Sequence, residues 1–266
     1  MSESFVLTQT KDAVRTISLN RPKALNALNR ELLMALREAV FSAEQDAAVR
    51  CVVVRGGNHF MAGGDLKWFY EQIADAEAAA IRIGFEAFIH ELHALIVSLR
   101  RMPKPVIASV RGAAAGFGLS LMMACDLVLA ADSAYFSLAY TNIGVSPDGG
   151  STFALPRIVG QKRAMELALL GERFDAVAAE RLGLVNRVVP DEALDQEAGK
   201  LAGRLADGPT AVYARTKALL NASLGASLES QLQHEAESFS QSATESDFKE
   251  GLAAFIDKRR PRFKGH

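Results

Sequence analysis

The sequence predicts an α/β fold followed by a helical region, and three observations carry that expectation. Short apolar or β-branched runs alternate with helical periodicities as far as Gly160, the pattern of largely parallel strands buried between helices. Beyond Gly160 the chain reads as one helix after another. In the middle, residues 112–126 (GAAAGFGLSLMMACD) pass from a turn of small residues directly into an apolar helix pattern. A helix start of this kind leaves backbone N–H groups unpaired and able to point at an oxygen.

In chain order, residues 5–10 and 14–19 are β-leaning runs joined by Lys11-Asp12, a hairpin pattern. Asn29 is placed to cap a helix that runs to about Asp46, with Leu32, Leu33, Leu36, Ala39 and Val40 as its apolar stripe. Residues 51–55 form a short strand closed by Gly56-Gly57, and further strands are expected over 106–110 and 126–130. A long helix spans about 76–99, where Ile81, Phe85, Phe88, Ile89, Leu92, Leu95, Ile96 and Leu99 recur at helical spacing. Pro103 and Pro105 end it. Helices follow over 161–170, 175–182, 191–206, 209–223, 227–242 and 245–258, interrupted by a β-like run at 185–189. Pro209 suits a first helical turn, and Thr244 with Asp247 resembles a capping box.

The chain's 266 residues suffice for one large domain or for a domain with a helical appendage. The change of character divides it near residue 200 into an α/β core, 1–200, and a helical C-terminal region, 201–266. No Gly/Ser linker separates the two, so the helices are expected to dock on the core or on another subunit. No internal repeat or low-complexity tract is present.

Lys and Arg number 30 against 31 Asp and Glu, a formal net charge of -1, which gives no reason to expect nucleic acid as a partner. Any anionic ligand must be met locally. Cys51 and Cys125 lie in apolar segments without metal-like spacing, so core packing and a reduced, cytoplasmic setting are expected. The N-terminal MSESFVLTQTKD has no basic stretch followed by an apolar run, and no secretory leader is expected. Arg100, Arg101, Lys104 and Arg111 break the most hydrophobic stretch, so no membrane span is expected either.

Several familiar motifs fail. Gly116-Phe117-Gly118 could open a dinucleotide fingerprint, but Leu121 holds the third glycine position. Gly118-Leu119-Ser120 lacks the lysine of a phosphate-binding loop, and Met122 replaces the closing glycine of a nucleophile elbow around Ser120. His90-Glu91-Leu92-His93 has its second histidine one residue too early for a zinc helix, which makes a helix surface the plainer reading and no metal the expectation. Trp68 and Phe69 read as ordinary packing beside a helix start or as a pocket wall. Phe85 and Phe88 divide evenly between core and pocket.

Three segments fit one chemistry. In His59-Phe60-Met61-Ala62-Gly63-Gly64-Asp65-Leu66-Lys67, small residues let the backbone approach a ligand while Asp65 caps the following helix. This segment and the 112–126 turn could each offer one peptide N–H to the same developing oxyanion, the arrangement that acyl chemistry rewards. Loss of one such donor typically costs about 3 kcal/mol of transition-state stabilisation. The third segment is Asn142-Ile143-Gly144-Val145-Ser146-Pro147-Asp148-Gly149-Gly150. On spacing alone Asp148 is a turn or N-cap residue. In an apolar pocket, the same carboxylate would have a raised pKa and could move protons near neutral pH.

At this point the chain resembles the crotonase, or enoyl-CoA hydratase and isomerase, superfamily over nearly its whole length. The resemblance rests on Asn20-Arg21-Pro22-Lys23-Ala24-Leu25-Asn26-Ala27-Leu28, on residues 62–67, on Pro103-Lys104-Pro105-Val106-Ile107-Ala108 and on residues 112–126. It continues through Leu155-Pro156-Arg157-Ile158-Val159-Gly160, Ala179-Glu180-Arg181-Leu182-Gly183-Leu184-Val185 and the ending at residues 258–265. It implies a spiral of ββα units with a C-terminal helical trimerisation region, assembled as a homotrimer or a dimer of trimers. It further implies an acyl-CoA thioester whose carbonyl is held by the amides of Gly64 and Phe117, and no cofactor beyond the coenzyme A of the substrate. Coenzyme A or substrate contacts are implied at Lys23, Ala24, Leu25 and Ala62, with Asp65 and Leu66 beside them and Phe255 and Lys258 reaching a neighbouring subunit's ligand.

Hydratases of the family use two glutamates, and at those positions this chain has Ser120 and Tyr140. Either hydroxyl could hydrogen-bond a substrate or a water, but near pH 7 each is a poor general base. Asp148 is the carboxylate that remains. It falls where relatives that shift dienoyl double bonds, isomerise ring-epoxide phenylacetyl-CoA or displace chloride from chlorobenzoyl-CoA carry an acid. Residues 136–160 and the ending Arg259-Arg260-Pro261-Arg262-Phe263 look most like the ring-epoxide isomerase branch. The resemblance therefore implies an acyl-CoA isomerase with Asp148 as proton shuttle. The alternatives are a hydratase with a non-standard acid/base set and a catalytically weak acyl-CoA binder. A dehalogenase-like attack by Asp148 on carbon is disfavoured because the sequence shows no well-placed histidine to activate water.

Overall fold

Cys51–Gly56, here β3, shows why the sheet forms where it does. Its side chains are almost all buried, as a parallel strand covered on both faces requires. The computed structural model describes residues 4–266. In chain order, the hairpin β1 (Val6–Lys11) and β2 (Val14–Leu19) leads to α1 (Arg30–Gln45), β3, α2 (Leu66–Ile73) and α3 (Ala78–Arg101). Next come β4 (Val106–Val110), β5 (Ala113–Ala115), α4 (Phe117–Ala124), β6 (Leu127–Ala131) and β7 (Tyr135–Ser137). The remainder is α5 (Ser151–Val159), α6 (Gln161–Leu170), β8 (Phe174–Asp175), α7 (Ala176–Arg181), β9 (Arg187–Val189), α8 (Leu194–Ala206), α9 (Thr210–Ser223), α10 (Leu228–Ala243) and α11 (Ser246–Ile256).

The strands form a six-stranded sheet in the order β1-β2-β3-β4-β6-β9, parallel except for β1, and a small sheet β5-β7-β8. Successive turns of the chain place one strand in the large sheet and the next in the small one: β4 then β5, β6 then β7. The preceding turn does the same in miniature, since Met61 bridges Ala114 and Leu28 bridges Gly64 in parallel. This is the spiral of ββα units that the resemblance implied.

Side-chain alternation splits the core between the two faces of the large sheet. Val52 and Val54 of β3 join Leu32, Leu33 and Leu36 of α1 and Leu92, Leu95 and Leu99 of α3. Cys51 and Val53 point the other way, with Ile107 and Leu129, onto Ala198, Ala202 and Ala206 of α8. Alanines four residues apart let α8 lie close to the strands. Burial pushes the Cys51 thiol up to about 12, so it behaves as a small apolar core residue.

Asn29 caps α1 as expected, its Oδ1 accepting from the Leu32 amide at 3.0 Å. Other expectations need correction. The helix expected over 76–99 both begins and ends two residues later, and the one expected over 191–206 begins as a separate short turn at Asp191–Ala193. Pro209 stands just before α9 rather than inside its first turn. Thr244 and Asp247 do not form a capping box, because Glu245 occupies the cap position without a side-chain bond. Instead the Asp247 carboxylate accepts from the amides of Lys264 and Gly265 at 2.6 and 2.7 Å, latching the tail to α11. The division at residue 200 falls within α8, which packs on the sheet to its last turn, so the core-packed chain extends to Ala206.

The helices beyond do dock on the core. Lys217 of α9 donates to the carbonyl of Leu99 and to Asp126, both at under 3 Å (2.8 and 2.7 Å), while Asn221 exchanges hydrogen bonds with Arg100. No helix of the described residues is long and apolar enough to cross a membrane.

Lys104 explains the Pro-Lys-Pro segment. Its buried ammonium donates to the carbonyls of Ala43, Glu44 and Asp46 at 2.6, 3.0 and 2.7 Å, gathering acceptors at the end of α1; the Asp46 carbonyl also accepts from the Val49 amide at 3.0 Å. Replacing Lys104 by Met keeps the stem and orphans the carbonyls of Ala43 and Glu44. We expect Lys104→Met to lower unfolding stability by about 2 kcal/mol in urea titrations followed by circular dichroism; an unchanged midpoint would refute the assignment.

Candidate active site

Two backbone turns meet at the edge of the small sheet. The Met61 amide donates to the Ala113 carbonyl and the Met61 carbonyl accepts from the Ala115 amide, both at 2.9 Å. This seam sets residues 62–64 against residues 115–117. Gly63 and Gly116 both have positive φ, 100° and 50°, and lie against each other: a Cβ added on Gly116 would be 3.4 Å from the Gly63 α-carbon. A Cβ on Gly118 would overlap the Met61 carbonyl oxygen. Glycine at 118 is therefore a condition of the approach.

Neither the Gly64 nor the Phe117 amide donates to an acceptor among the described residues. For Phe117 this is the ordinary state of a first helical residue. Two free N–H groups thus stand on abutting turns.

The loop carrying Lys23, Ala24 and Leu25 is fixed to the first of these turns. Asn26, buried and left-handed at φ 57°, donates to the His59 carbonyl at 2.7 Å and accepts from the Arg21 amide at 2.8 Å. The Ala62 amide donates to the Leu25 carbonyl at 3.0 Å. Lys23 is exposed beside this junction. Asp65 is committed to structure: its carboxylate accepts from the Trp68 amide at 3.3 Å as the cap of α2 and pairs with Arg21 at 2.8 Å. Leu66, next along, is exposed. Arg21 was missed as a partner in the sequence because nothing local links residues 21 and 65.

Asp148 comes to the same place. A Cβ on Gly149 would strike Ser120 and the Phe117 ring at 2.7 and 2.9 Å, so the loop bearing Asp148 lies directly on the start of α4. The Tyr140 O–H donates to Asp148 Oδ1 at 2.5 Å. Ser120 Oγ donates to the Asp148 carbonyl at 3.1 Å and lies 3.4 Å from the Tyr140 oxygen. Ser151 Oγ also donates to that carbonyl, at 2.9 Å. The hydroxyls of Ser120 and Tyr140, expected to meet substrate or water, are thus engaged with Asp148.

Burial raises the Asp148 carboxyl above its ordinary range, opposed by the Tyr140 hydrogen bond and by the charge of His93. Burial, and then the nearby Asp148 charge, push the Tyr140 phenol well above its own. His93 lies on the exposed face of α3, as its helical position implied, one turn before Ile96, which packs beside Gly150; it reaches Asp148 through its charge alone.

Trp68, Phe69, Phe85 and Phe88 form one aromatic cluster, with ring centroids 5.0 to 6.2 Å apart. Phe69 lies over Gly64, where a Cβ would meet the ring at 2.5 Å. Phe88 is buried core, Trp68 and Phe69 pack partly buried against it, and Phe69 covers the glycine turn. Phe255, 85% exposed, and Lys258 stand at the end of α11 outside this cluster of contacts. Among the described residues no group of three or more His, Cys, Asp or Glu side chains could hold a metal ion.

The sequence over residues 9–266 matches the family model described as enoyl-CoA hydratase/isomerase. The chain belongs to the enoyl-CoA hydratase/isomerase family. Among its relatives, the 1,2-epoxyphenylacetyl-CoA isomerase of Escherichia coli (strain K12) is 38% identical over 98% of each chain. A crotonyl-CoA hydratase of Syntrophomonas wolfei subsp. wolfei is 34% identical over 99% of each. The crystal structure of an enoyl-CoA hydratase from Polaromonas sp. JS666 superposes with a TM-score of 0.91 at 37% identity, covering 97% of this chain and 99% of that one. Family members with this fold thus carry both isomerase and hydratase names.

The seam between the two turns generates a test. Gly118→Ala should force Met61 away from α4, lowering the melting temperature and cutting acyl-CoA turnover by at least about tenfold if the two amides act together. Wild-type stability and turnover in that variant would show that the close approach is dispensable.

Proposed function

We propose that this family member is an acyl-CoA isomerase in which Asp148 shuttles a proton while the amides of Gly64 and Phe117 hold a thioester enolate. One observation carries the reading: a single half-buried carboxylate lies against the helix whose first amide is free, with hydroxyls, not carboxylates, at Ser120 and Tyr140. The Asp148 carboxylate removes a proton from a carbon activated by the thioester. The electron pair moves onto the carbonyl oxygen, where the two N–H groups stabilise the negative charge. Return of the proton to a different carbon completes the double-bond shift, and nothing else is consumed. One acid that takes and gives back suits this chemistry better than water addition, which needs an acid and a base at once.

Lys23, Ala24, Leu25 and Ala62 are assigned to the coenzyme A moiety, and no cofactor beyond it is called for. The aromatic wall at Phe69 and Trp68 favours an unsaturated or ring-derived acyl group over a flexible saturated one. Exposed Phe239, Leu252, Phe255 and Ile256 on α10 and α11 support a homotrimer or a dimer of trimers, in which Phe255 and Lys258 reach a neighbour's ligand. A cytoplasmic setting accords with the two free cysteines.

Asp148→Asn should fold normally and lose about 10²- to 10⁴-fold in kcat for double-bond migration across a panel of unsaturated and ring-derived acyl-CoAs. Unchanged turnover would sink the proton-shuttle reading. Hydration of crotonyl-CoA by the unmodified protein would reassign it as a hydratase, and tight acyl-CoA binding without turnover would make it a binder.

The pH dependence follows from the direction of the Asp148 shift. The base must be ionised and its folded pKa is raised, so kcat/KM should fall on acidification at a pH above the ordinary carboxylate range. A limb at or below that range would contradict the burial argument.

A further inference from the structure

We propose that Tyr140 is a positioning residue that gives the two oxygens of Asp148 different tasks: its O–H holds Oδ1, and Oδ2 alone takes up and returns the substrate proton. The inference rests on the proton-shuttle reading of Asp148 and adds which atom acts and what fixes it.

Tyr140 is only 7% exposed and opens a short 3-10 turn, Tyr140–Ile143. The residue before it, Ala139, sits at φ 54°, a left-handed conformation that a non-glycine residue adopts at a cost. That strain is retained in a turn that aims the phenol at the carboxylate. The 2.5 Å contact is in the range of strong O–H···O⁻ bonds. The other end of Asp148 is fixed as well, its carbonyl accepting from both Ser120 and Ser151. Side chain and backbone are therefore pinned independently, leaving Oδ2 as the oxygen that Tyr140 does not hold.

Tyr140 cannot exchange roles with Asp148. Its phenol is held protonated by burial and by the neighbouring charge, so it acts as a donor throughout. In a neutral carboxylic acid one oxygen carries the proton and the other accepts. With Oδ1 accepting from Tyr140, the proton must sit on Oδ2. In the step, the substrate C–H bond breaks and an O–H bond forms at Oδ2 while the electron pair enters the enolate. The reverse transfer to the second carbon restores the carboxylate. The groups that act on Asp148 are Tyr140 from its turn and His93 from α3, and both favour the ionised form; α4 and α5 contribute the uncharged hydroxyls of Ser120 and Ser151.

The test compares the unmodified protein with Tyr140→Phe and Asp148→Asn, measuring pH profiles and deuterium uptake from D2O during isomerisation of an acyl-CoA that the unmodified protein turns over. Tyr140→Phe should lower plateau kcat about tenfold with KM within about twofold. Its acid limb should move about one pH unit higher, because a bond favouring the carboxylate is lost. Product deuterium should rise, since a proton free to occupy either oxygen exchanges more readily with solvent. An unmoved limb with unaltered deuterium content would overturn the assignment. If Tyr140→Phe fails to fold, fluorotyrosine at 140, a stronger donor, should move the limb to lower pH, and an unmoved limb there would equally overturn it. Turnover retained by Asp148→Asn would refute the shuttle itself. An inactive Asp148→Asn beside an unmoved Tyr140→Phe limb would refute only the role of Tyr140.

Discussion

The backbone seam between Met61 and residues 113–115 is the constraint on which the rest of the site depends. Two hydrogen bonds at 2.9 Å draw the two loops together, and three glycines at 63, 116 and 118 make the distance attainable. Everything chemical is referred to this seam. The free amides stand at its edges, the loop of residues 23–25 is tied to one side through Ala62 and Asn26, and the loop of Asp148 rests on the helix that begins at the other. The strand-to-strand passage from the large sheet to the small one recurs along the chain. The site therefore arises where successive turns of the spiral abut, and needs no separate structure to build it.

The electrostatics of the site are set by scarcity. One carboxylate is half-buried among hydroxyls, and its proton affinity is raised by lost hydration and moderated by a phenol and an imidazole. With a second carboxylate nearby, one of the two would be forced neutral and could serve as a permanent acid. With hydroxyls instead, the proton-shuttle proposal asks Asp148 to serve in both senses. Ser120 and Tyr140 in these places support that proposal, in which the same proton leaves and returns.

Much of this was legible in the sequence, for reasons that can be named. The apolar run at residues 51–54, the helical spacing of α1 and α3 and the glycine-rich turns at 63–64 and 116–118 all reflect local requirements, which a linear pattern records. The Ala113–Ala115 and Tyr135–Ser137 strands were not legible, because three residues, one set all alanine, carry no period and little β-propensity. The boundary near residue 200 misled because α8, rich in alanine, resembles the outer helices in composition while packing against the sheet. Asp247 looked like a cap because its real partners lie seventeen and eighteen residues away. His93 is on the surface as its helical position implied, and only the packing of α3 beside the 148–150 loop gives its charge a relation to Asp148.

The Asp247 latch also bears on how residues 263–266, which lie outside any helix or strand, are held. Here a carboxylate only 3% exposed takes two amides from the last three residues, and its own amide donates to the carbonyl of His266 at 3.0 Å. Arg50, at the entrance to β3, holds the Phe263 carbonyl at 3.2 Å and spans to Thr210 at 2.9 Å. Residues 263–266 thus work as a clasp that closes α11 onto the first turn of α9 and the start of β3, a structural joint made without a helix or strand of its own.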